Sequence, residues 1–174
     1  MCGLPGSGKS TLSRALAERL GALRWDKDEL RHLLFPPHAV QHDRALNDLC
    51  MELLHAAARH AFTLPSLGVP AVILDGRPFT EQQQRNRARE AAQQAGANIA
   101  FILCTAPMEI LRQRIESSAH LAPDRNQALL EWLAATAEPF EGDEIVIDTG
   151  SLSLQQALAR CLRELAAREL ISLP

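Results

Sequence analysis

The chain alternates short, unbroken apolar runs with longer stretches in which apolar residues recur every three or four positions. The runs are ALRWD (22–26), LGVPAVILDG (67–76), NIAFILCT (98–105) and EIVIDT (144–149). Continuous apolar runs of this length mark strands covered on both faces, as in a parallel sheet. Between them the spacing predicts helices. Leu12, Ala15, Leu16 and Leu20 lie on one face of a helix ending at Gly21. A short helix over 28–35 is stopped by Pro36 and Pro37. From 41 to 62 a long helix carries a stripe of Ala45, Leu49, Leu53, Ala56, Ala57 and His60. A polar helix over 80–96 takes Gly96 as its C-cap, and one over 107–117 has Pro107 at its first position. Two more follow over 126–138 and 153–170, the last with Leu154, Leu158, Cys161, Leu162 and Leu165 on one face. Strand–helix alternation throughout predicts an α/β three-layer sandwich: a mainly parallel sheet of about five strands with helices on both faces. With no internal repeat, linker or low-complexity segment, residues 1–174 read as a single domain.

Composition narrows this picture. The hydrophobic content of 47% suffices for a sizeable core, and the net charge is −3 with both signs mixed along the chain. Bulk charge therefore gives no footprint for long nucleic acid, and with 4% aromatics and no Tyr, base-stacking platforms are scarce. Cys2, Cys50, Cys104 and Cys161 are far apart and form no C-x-x-C pair, so metal binding through them is not expected. The six histidines are scattered, and His55 and His60 read as core-edge or surface residues. With no signal peptide and no membrane-length apolar run, the expected compartment is a reducing cytoplasm, with no membrane partner and a monomeric or homodimeric state.

The strongest chemical signal is GLPGSGKST, residues 3–11. Gly3, Gly8, Lys9 and Ser10 fit the G-x-x-x-x-G-K-[ST] pattern of a phosphate-binding loop. Gly3, Gly6 and Gly8 let the backbone turn through positive φ, so that successive N–H groups, Ser7 included, line an anion-sized hollow. Lys9 carries a charge to the outer phosphates, Ser10 offers a hydroxyl to Mg²⁺, and Thr11 a second hydroxyl. The helix that follows aims its N-terminal dipole at the same place. The expected ligands are ATP and Mg²⁺.

In such sheets ligands sit beyond the carboxyl ends of the strands, where this chain places several acids. Asp28 with Arg31 three residues on can take a hydroxyl's proton and hold an anionic substrate; the alternative for Asp28 is a helix N-cap. Asp75, ending VILD, reads as the acid that holds Mg²⁺ directly or through water, or else as a turn residue in DGRP. Asp148 either frames the base-binding end or caps the last helix. Arg112, Arg114 and Arg125 are candidates to stabilise a transferring phosphoryl group, Arg114 foremost; a solvated helix face is the alternative for each.

GLPGSGKST, DELR, VILDGRPFTEQQQR, FILCTAPMEILRQR and VIDT together resemble the small P-loop kinases of the adenylate-kinase-like group, in the polynucleotide-kinase-like and zeta-toxin-like branch whose members are described as AAA-type ATP-binding proteins. The resemblance spans nearly the whole chain. It implies a P-loop NTPase fold and an ATP-dependent phosphotransferase acting on a hydroxyl acceptor, small or nucleotide-like. It makes Asp28 the acid that receives the hydroxyl proton, Arg31 the grip on the acceptor's anionic group, Arg114 the contact to the transferring phosphate, and 117–126 a lid. Two features depart from that pattern. Ser118 stands where a second lid arginine is common, with Arg125 as the substitute. The segment after Asp75 reads DGRPFT, which makes Arg77 either a substrate contact or a surface residue. The alternatives to a kinase are an ATPase or switch module and a nucleotide-binding protein without turnover. Only Met1 and Cys2 precede the loop, where a central strand of about five or six residues belongs. The expectation is that the first strand is truncated and the functional protein begins upstream of Met1.

Overall fold

The fold was obtained as a computed structural model, which describes residues 1–36, 44–64, 66–117 and 126–171. Four parallel strands of four residues each form its centre: β1 (Leu23–Asp26), β2 (Val72–Asp75), β3 (Ile102–Thr105) and β4 (Ile145–Asp148). β1 pairs with β2 in a register that sets Asp26 opposite Asp75, and β3 pairs with β4, setting Thr105 opposite Asp148. Met1 and Cys2 lie between the two pairs. The Met1 ammonium donates to the Leu74 carbonyl (2.9 Å), the Cys2 N–H donates to Ile102 O (2.7 Å), and the Cys104 N–H donates to Cys2 O (2.9 Å). The spatial order is thus β1, β2, residues 1–2, β3, β4, with a short segment in the fifth, central place. The strands are shorter than the apolar runs containing them, because a run becomes strand only where a neighbour completes the hydrogen-bond ladder.

The helices are α1 (Lys9–Leu20), α2 (Lys27–Leu34), α3 (Arg44–Thr63), α4 (Gln82–Gln94), α5 (Met108–Ser117), α6 (Gln127–Thr136) and α7 (Leu154–Ala167). Strand side chains alternate between two layers. Ile73, Ile102, Cys104, Ile145 and Ile147 pack with Leu12 and Leu16 of α1 and with Ala157, Cys161 and Leu165 of α7. Cys2, Leu74 and Leu103 face the other way, toward Met51 and Leu54 of α3, Ala88 of α4, Phe79 and Phe101. A third cluster joins α5 and α6 through Leu111, Ile115 and Leu130. Among the described residues no helix is long and apolar enough to cross a membrane, and no group of three His, Cys, Asp or Glu could hold a metal ion.

Several local readings need correction. On α3 the buried face is Cys50, Met51, Leu54, His55 and Ala61, whereas Leu49 and Leu53 of the expected stripe are each 43% exposed. This helix carries apolar residues on more than one face, so period alone does not choose between them. On α7, Leu154 is exposed and Ala157 takes its place in the core. The C-cap of α4 is Ala95, and Gly96 follows it at φ 64°, one position later than expected. Pro107 stands just outside α5, and its carbonyl accepts from Leu111 N–H at 3.0 Å. α4 is polar in sequence yet docks through a fully buried Arg85. Its guanidinium donates to Phe79 O (2.9 Å) and Pro139 O (2.7 Å), reaches Glu141 (3.1 Å) and lies 4.5 Å from the Phe140 ring centroid.

Asp75 has no exposed surface. Its Oδ2 accepts from the Ser13 hydroxyl of α1 (2.7 Å) and from Arg24 of β1 (3.0 Å), and its Oδ1 accepts from Gly76 N–H (2.8 Å). Burial alone would raise its pKa. Ser13, the Met1 ammonium, the Gly76 N–H and Lys9 outweigh that and bring it to about 2.

Two predictions follow from these contacts. Leu54→Ala should lower stability by about 2–5 kcal/mol and Leu53→Ala by only about 0.5 kcal/mol; equal losses in denaturant unfolding would restore the stripe read from sequence. For Asp75 the folded pKa lies below the unfolded value, so its contribution is complete above about pH 4 and fades as pH falls toward 2. The stability gap between wild type and Asp75→Asn should therefore shrink across that interval, and a pH-independent gap would refute the ionised state.

Candidate active site

The loop expected at 3–11 turns directly into α1. Gly8 is its N-cap in left-handed geometry, and no side chain caps the helix, so its first N–H groups remain available to an anion. The glycines serve packing as well as the loop. A Cβ on Gly3 (φ 122°) would stand 2.2 Å from the Cys104 carbonyl oxygen, and one on Gly6 (φ 81°) 2.7 Å from the Leu111 carbonyl oxygen. Glycine at 3 and 6 therefore lets the loop pass against β3 and the first turns of α5. Lys9 Nζ donates to Gly3 O (2.7 Å) and Leu4 O (2.9 Å), folding back over the loop.

Beyond the strand ends opens a cleft of about 860 Å³. Gly6, Gly8, Lys9, Ser10 and Thr11 line it, as do Asp28, Arg31, Arg77 and Arg114; of the other loop residues expected to bind nucleotide, Gly3 and Ser7 lie outside its lining. Ser7 is buried behind the loop, its carbonyl taking the Thr149 hydroxyl (2.9 Å). Arg114 extends from α5 across the loop. Its guanidinium donates to Gly6 O (3.2 Å), Thr149 Oγ1 (3.0 Å) and Thr149 O (2.8 Å). Arg112 points elsewhere, to Glu131 at 3.1 Å. Arg125, Ser118 and the body of the expected lid at 117–126 lie outside the described residues.

At the end of β1 the acids divide their roles. Asp26 is the N-cap of α2, its Oδ1 accepting from Asp28 N–H (2.8 Å) and Glu29 N–H (3.3 Å). The capping role considered for Asp28 therefore belongs to Asp26, and the Asp26–Glu29 spacing was the available signal for it. Asp28 Oδ1 instead sits 3.1 Å from Lys27 Nζ and 3.0 Å from Arg31. Arg31 is wholly buried, and its other nitrogen donates to Asn47 Oδ1 of α3 at 2.8 Å. Arg77 is no surface residue: it is 8% exposed and lies 2.6 Å from Asp48. Asp75 is placed otherwise than a metal or substrate contact would be. Both its oxygens are engaged inside the fold and it is not in the cleft lining, whereas Asp26 and Asp28 are. Asp148 does not cap α7; Ser153 does, in a capping box with Gln156. The Asp148 carboxylate holds the preceding turn through the Ser151 hydroxyl (2.7 Å) and Gly150 N–H (2.9 Å), and these contacts pull its pKa down.

Sequence reading missed Lys27, Asn47, Thr149 and Trp132. Lys27 stood in view as a cation between two acids at a helix start. Trp132 of α6 is 56% exposed on the cleft wall, beside Leu129 and Leu133. Asn47 and Thr149 carried no local signal, because their roles come from contacts made across the fold. His55 is buried, its pKa held near 4 by burial and by Arg59, Arg77 and Arg87, while His60 is exposed.

Known proteins bear on this arrangement. The chain is 30% identical over 140 residues to the uncharacterized protein Rv2004c of Mycobacterium tuberculosis (strain ATCC 25618 / H37Rv) and equally to Mb2027c of Mycobacterium bovis; the match takes in 76% of this chain but only 28% of either relative. Among solved structures, it superposes on a gluconokinase from Sinorhizobium meliloti 1021 with a TM-score of 0.68 at 20% identity, covering 96% of this chain and 90% of the other. A sugar kinase from Janibacter sp. HTCC2649 gives 0.67 at 21%, covering 99% and 96%. The Mycobacterium tuberculosis APS kinase CysC, in complex with AMPPNP and APS, gives 0.63 at 17%, covering 95% and 94%. The fold is that of the small P-loop kinases. Residues 1–142 match the AAA_33 family, described as an AAA domain, and the chain belongs to that family.

Proposed function

We propose that this protein is a kinase that transfers the γ-phosphoryl group of ATP to the hydroxyl of a small acceptor. The observation that carries the reading is that the phosphate loop and the Lys27–Asp28–Arg31 group line one cleft. A nucleotide-operated switch needs the loop alone; a buried acid facing the same space gives a second substrate's hydroxyl somewhere to go. The kinase folds of the structural neighbours, one of them holding AMPPNP and APS, support it.

In this reading the N–H groups of Gly6 and of Gly8 to Thr11 and the Lys9 ammonium receive the phosphates, and Thr149 and Leu152, on the turn that Asp148 fixes, line the nucleotide end with Leu154. The loop fits a triphosphate: its helix start is uncapped and its lysine lines the cleft. The Ser10 hydroxyl in the cleft lining would offer an oxygen to Mg²⁺, with water completing the ion's shell, because Asp26 and Asp75 are engaged with Arg24 and with backbone or hydroxyl donors. When bound, Mg²⁺ supplies charge to the phosphate oxygens. The acceptor oxygen forms a bond to the γ-phosphorus as the bond from that phosphorus to the β–γ bridging oxygen breaks. The bridging oxygen keeps the electron pair and leaves with ADP, and the hydroxyl proton passes to Asp28. No strong base is needed, because the proton leaves late in a loose transition state. Arg114, already beside the loop, meets the charge spreading over the transferring oxygens.

The deciding assay is ATP turnover with and without a panel of hydroxyl compounds. An acceptor-dependent rise is expected; hydrolysis indifferent to every acceptor would favour the switch reading. Lys9→Ala should lower kcat by roughly 10² or more, on the scale of one preorganised transition-state contact, and near-normal turnover would remove the loop from catalysis. Asp28→Asn removes the carboxylate that faces Lys27 and the buried Arg31, so the unfolding midpoint should fall. In the folded variant AMPPNP affinity should stay close to wild type while turnover collapses. Turnover retained by the folded variant would return Asp28 to a structural role.

A further inference from the structure

We propose that Trp132 is the platform on which the acceptor lies, so that the acceptor is a hydroxyl compound built on a flat, uncharged ring whose face stacks on the indole. The inference rests on the kinase reading and adds a specificity-determining residue and the kind of ring it selects. Trp132 is 56% exposed and, among the described residues, is the most exposed apolar side chain in the cleft lining. The other tryptophan, Trp25, packs into the core beside Phe79 and Phe101. Exposed leucines are ordinary on a protein surface. An indole left half in water inside a cleft is not, because its broad apolar face gains most when another ring covers it. A cleft of about 860 Å³ is the size in which such faces meet small ligands.

The helix that carries this ring is fixed along its length. Asn126 caps the first turn of α6, its Oδ1 accepting from Leu129 N–H at 2.9 Å. Leu130 is wholly buried against Leu111 and Ile115 of α5, and Glu131 pairs with Arg112 at 3.1 Å. Just past the last turn, Glu138 N–H donates to Thr80 O at 2.9 Å, and the Glu138 carboxylate accepts from Gln82 N–H. Thr80 belongs to the segment that leaves β2 and carries Arg77, so the C-terminal half of α6 borders that segment. The residues assigned to the nucleotide end, Thr149 and Leu152, instead follow β4. Leu129 and Leu133 flank Trp132 in the cleft lining, and α6 contains no Lys, Arg or His. A charged group therefore has no counter-ion on this wall, and an uncharged ring has an apolar surface to cover. Lys27, Asp28 and Arg31 form the polar wall of the same cleft. An acceptor that offers its hydroxyl to Asp28 and its ring to Trp132 uses both walls, whereas a small acyclic polyol would leave the indole in water.

The test uses the full chain saturated with Mg²⁺ and AMPPNP, so that the loop is occupied. Benzyl alcohol, methyl glucopyranoside and, as the acyclic control, glycerol are titrated by calorimetry and by tryptophan fluorescence. Saturable binding of a ring alcohol, accompanied by a fluorescence change and absent for glycerol, is expected; the arm that binds tells an aromatic ring from a sugar ring. Trp132→Ala should weaken that binding by roughly tenfold, the scale of one stacked ring, with AMPPNP affinity unchanged. Trp132→Phe should keep most of the binding and lose the fluorescence change, which a merely structural role would not do. Should Trp132→Ala fail to fold, the wild-type titration and Trp132→Phe carry the decision. No ring alcohol bound by the loaded wild type, glycerol bound as well as the rings, or ring binding undiminished in Trp132→Ala would overturn the proposal. So would a fluorescence change completed by AMPPNP alone, which would give Trp132 to the nucleotide. Failure of AMPPNP itself to bind would instead overturn the kinase reading on which the proposal rests.

Discussion

A carboxylate with no access to water has to be satisfied from within, and the way Asp75 is satisfied links the parts of the site. Ser13 reaches it from the helix that begins with Lys9 and Ser10. Arg24 reaches it from β1 and extends at 2.7 Å to Asp26, the cap of the helix that presents Lys27, Asp28 and Arg31. A continuous path of short polar contacts thus runs from the helix after the glycine-rich loop to the cleft wall that carries Lys27, Asp28 and Arg31. Removing one member leaves a buried charge uncompensated, at a cost of about 3–5 kcal/mol. The path sets the spacing of the two halves. It also explains why the acid ending VILD lies behind the site.

What the sequence made legible were the features that depend on neighbours in the chain. The strands and helices of the described residues, the phosphate loop and the side of the sheet that carries the cleft all follow from runs, periods and one glycine-rich motif. The face of α3 was not legible. Leu49, Leu53, Met51 and Leu54 are all apolar, and only the packing of Met51 and Leu54 against Phe79 and Phe101 distinguishes the inner pair. Arg85 was illegible for a related reason. In TEQQQRNRAREAAQQAG it is one arginine among three, yet it alone is wholly buried, because the carbonyls of Phe79 and Pro139, which are far off in the chain or outside the helix, meet its nitrogens.

The same distinction runs through the site. Asp28 and Arg31 could be paired from their spacing, since residues three apart share a helix face. That Arg31 is buried and turned toward Asn47 could not be seen, because Asn47 arrives on α3 from the next segment of chain. Lys27 was overlooked because an isolated lysine usually faces water. Here the cap at Asp26 starts α2 one residue earlier than the apolar pattern suggests, and that rotation places Lys27 inside the cleft wall rather than in the loop before it.

The two halves of the cleft hold their charges in different ways, and the difference has a mechanical consequence. Lys9 and Arg114 have backbone carbonyls of the loop and Thr149 among their partners. Carbonyls are neutral acceptors, and a hydrogen bond to a charged oxygen is roughly twice as strong. Arriving phosphates can therefore draw both cations away from these contacts, which keep the side chains near their working positions beforehand. Asp28 is held by two cations at once, one of them wholly buried, so no neutral acceptor hydroxyl competes for its position. In the proposed transfer, a carboxylate so fixed would suit a reaction in which positioning rather than basicity limits the rate, because it would hold the attacking oxygen in line.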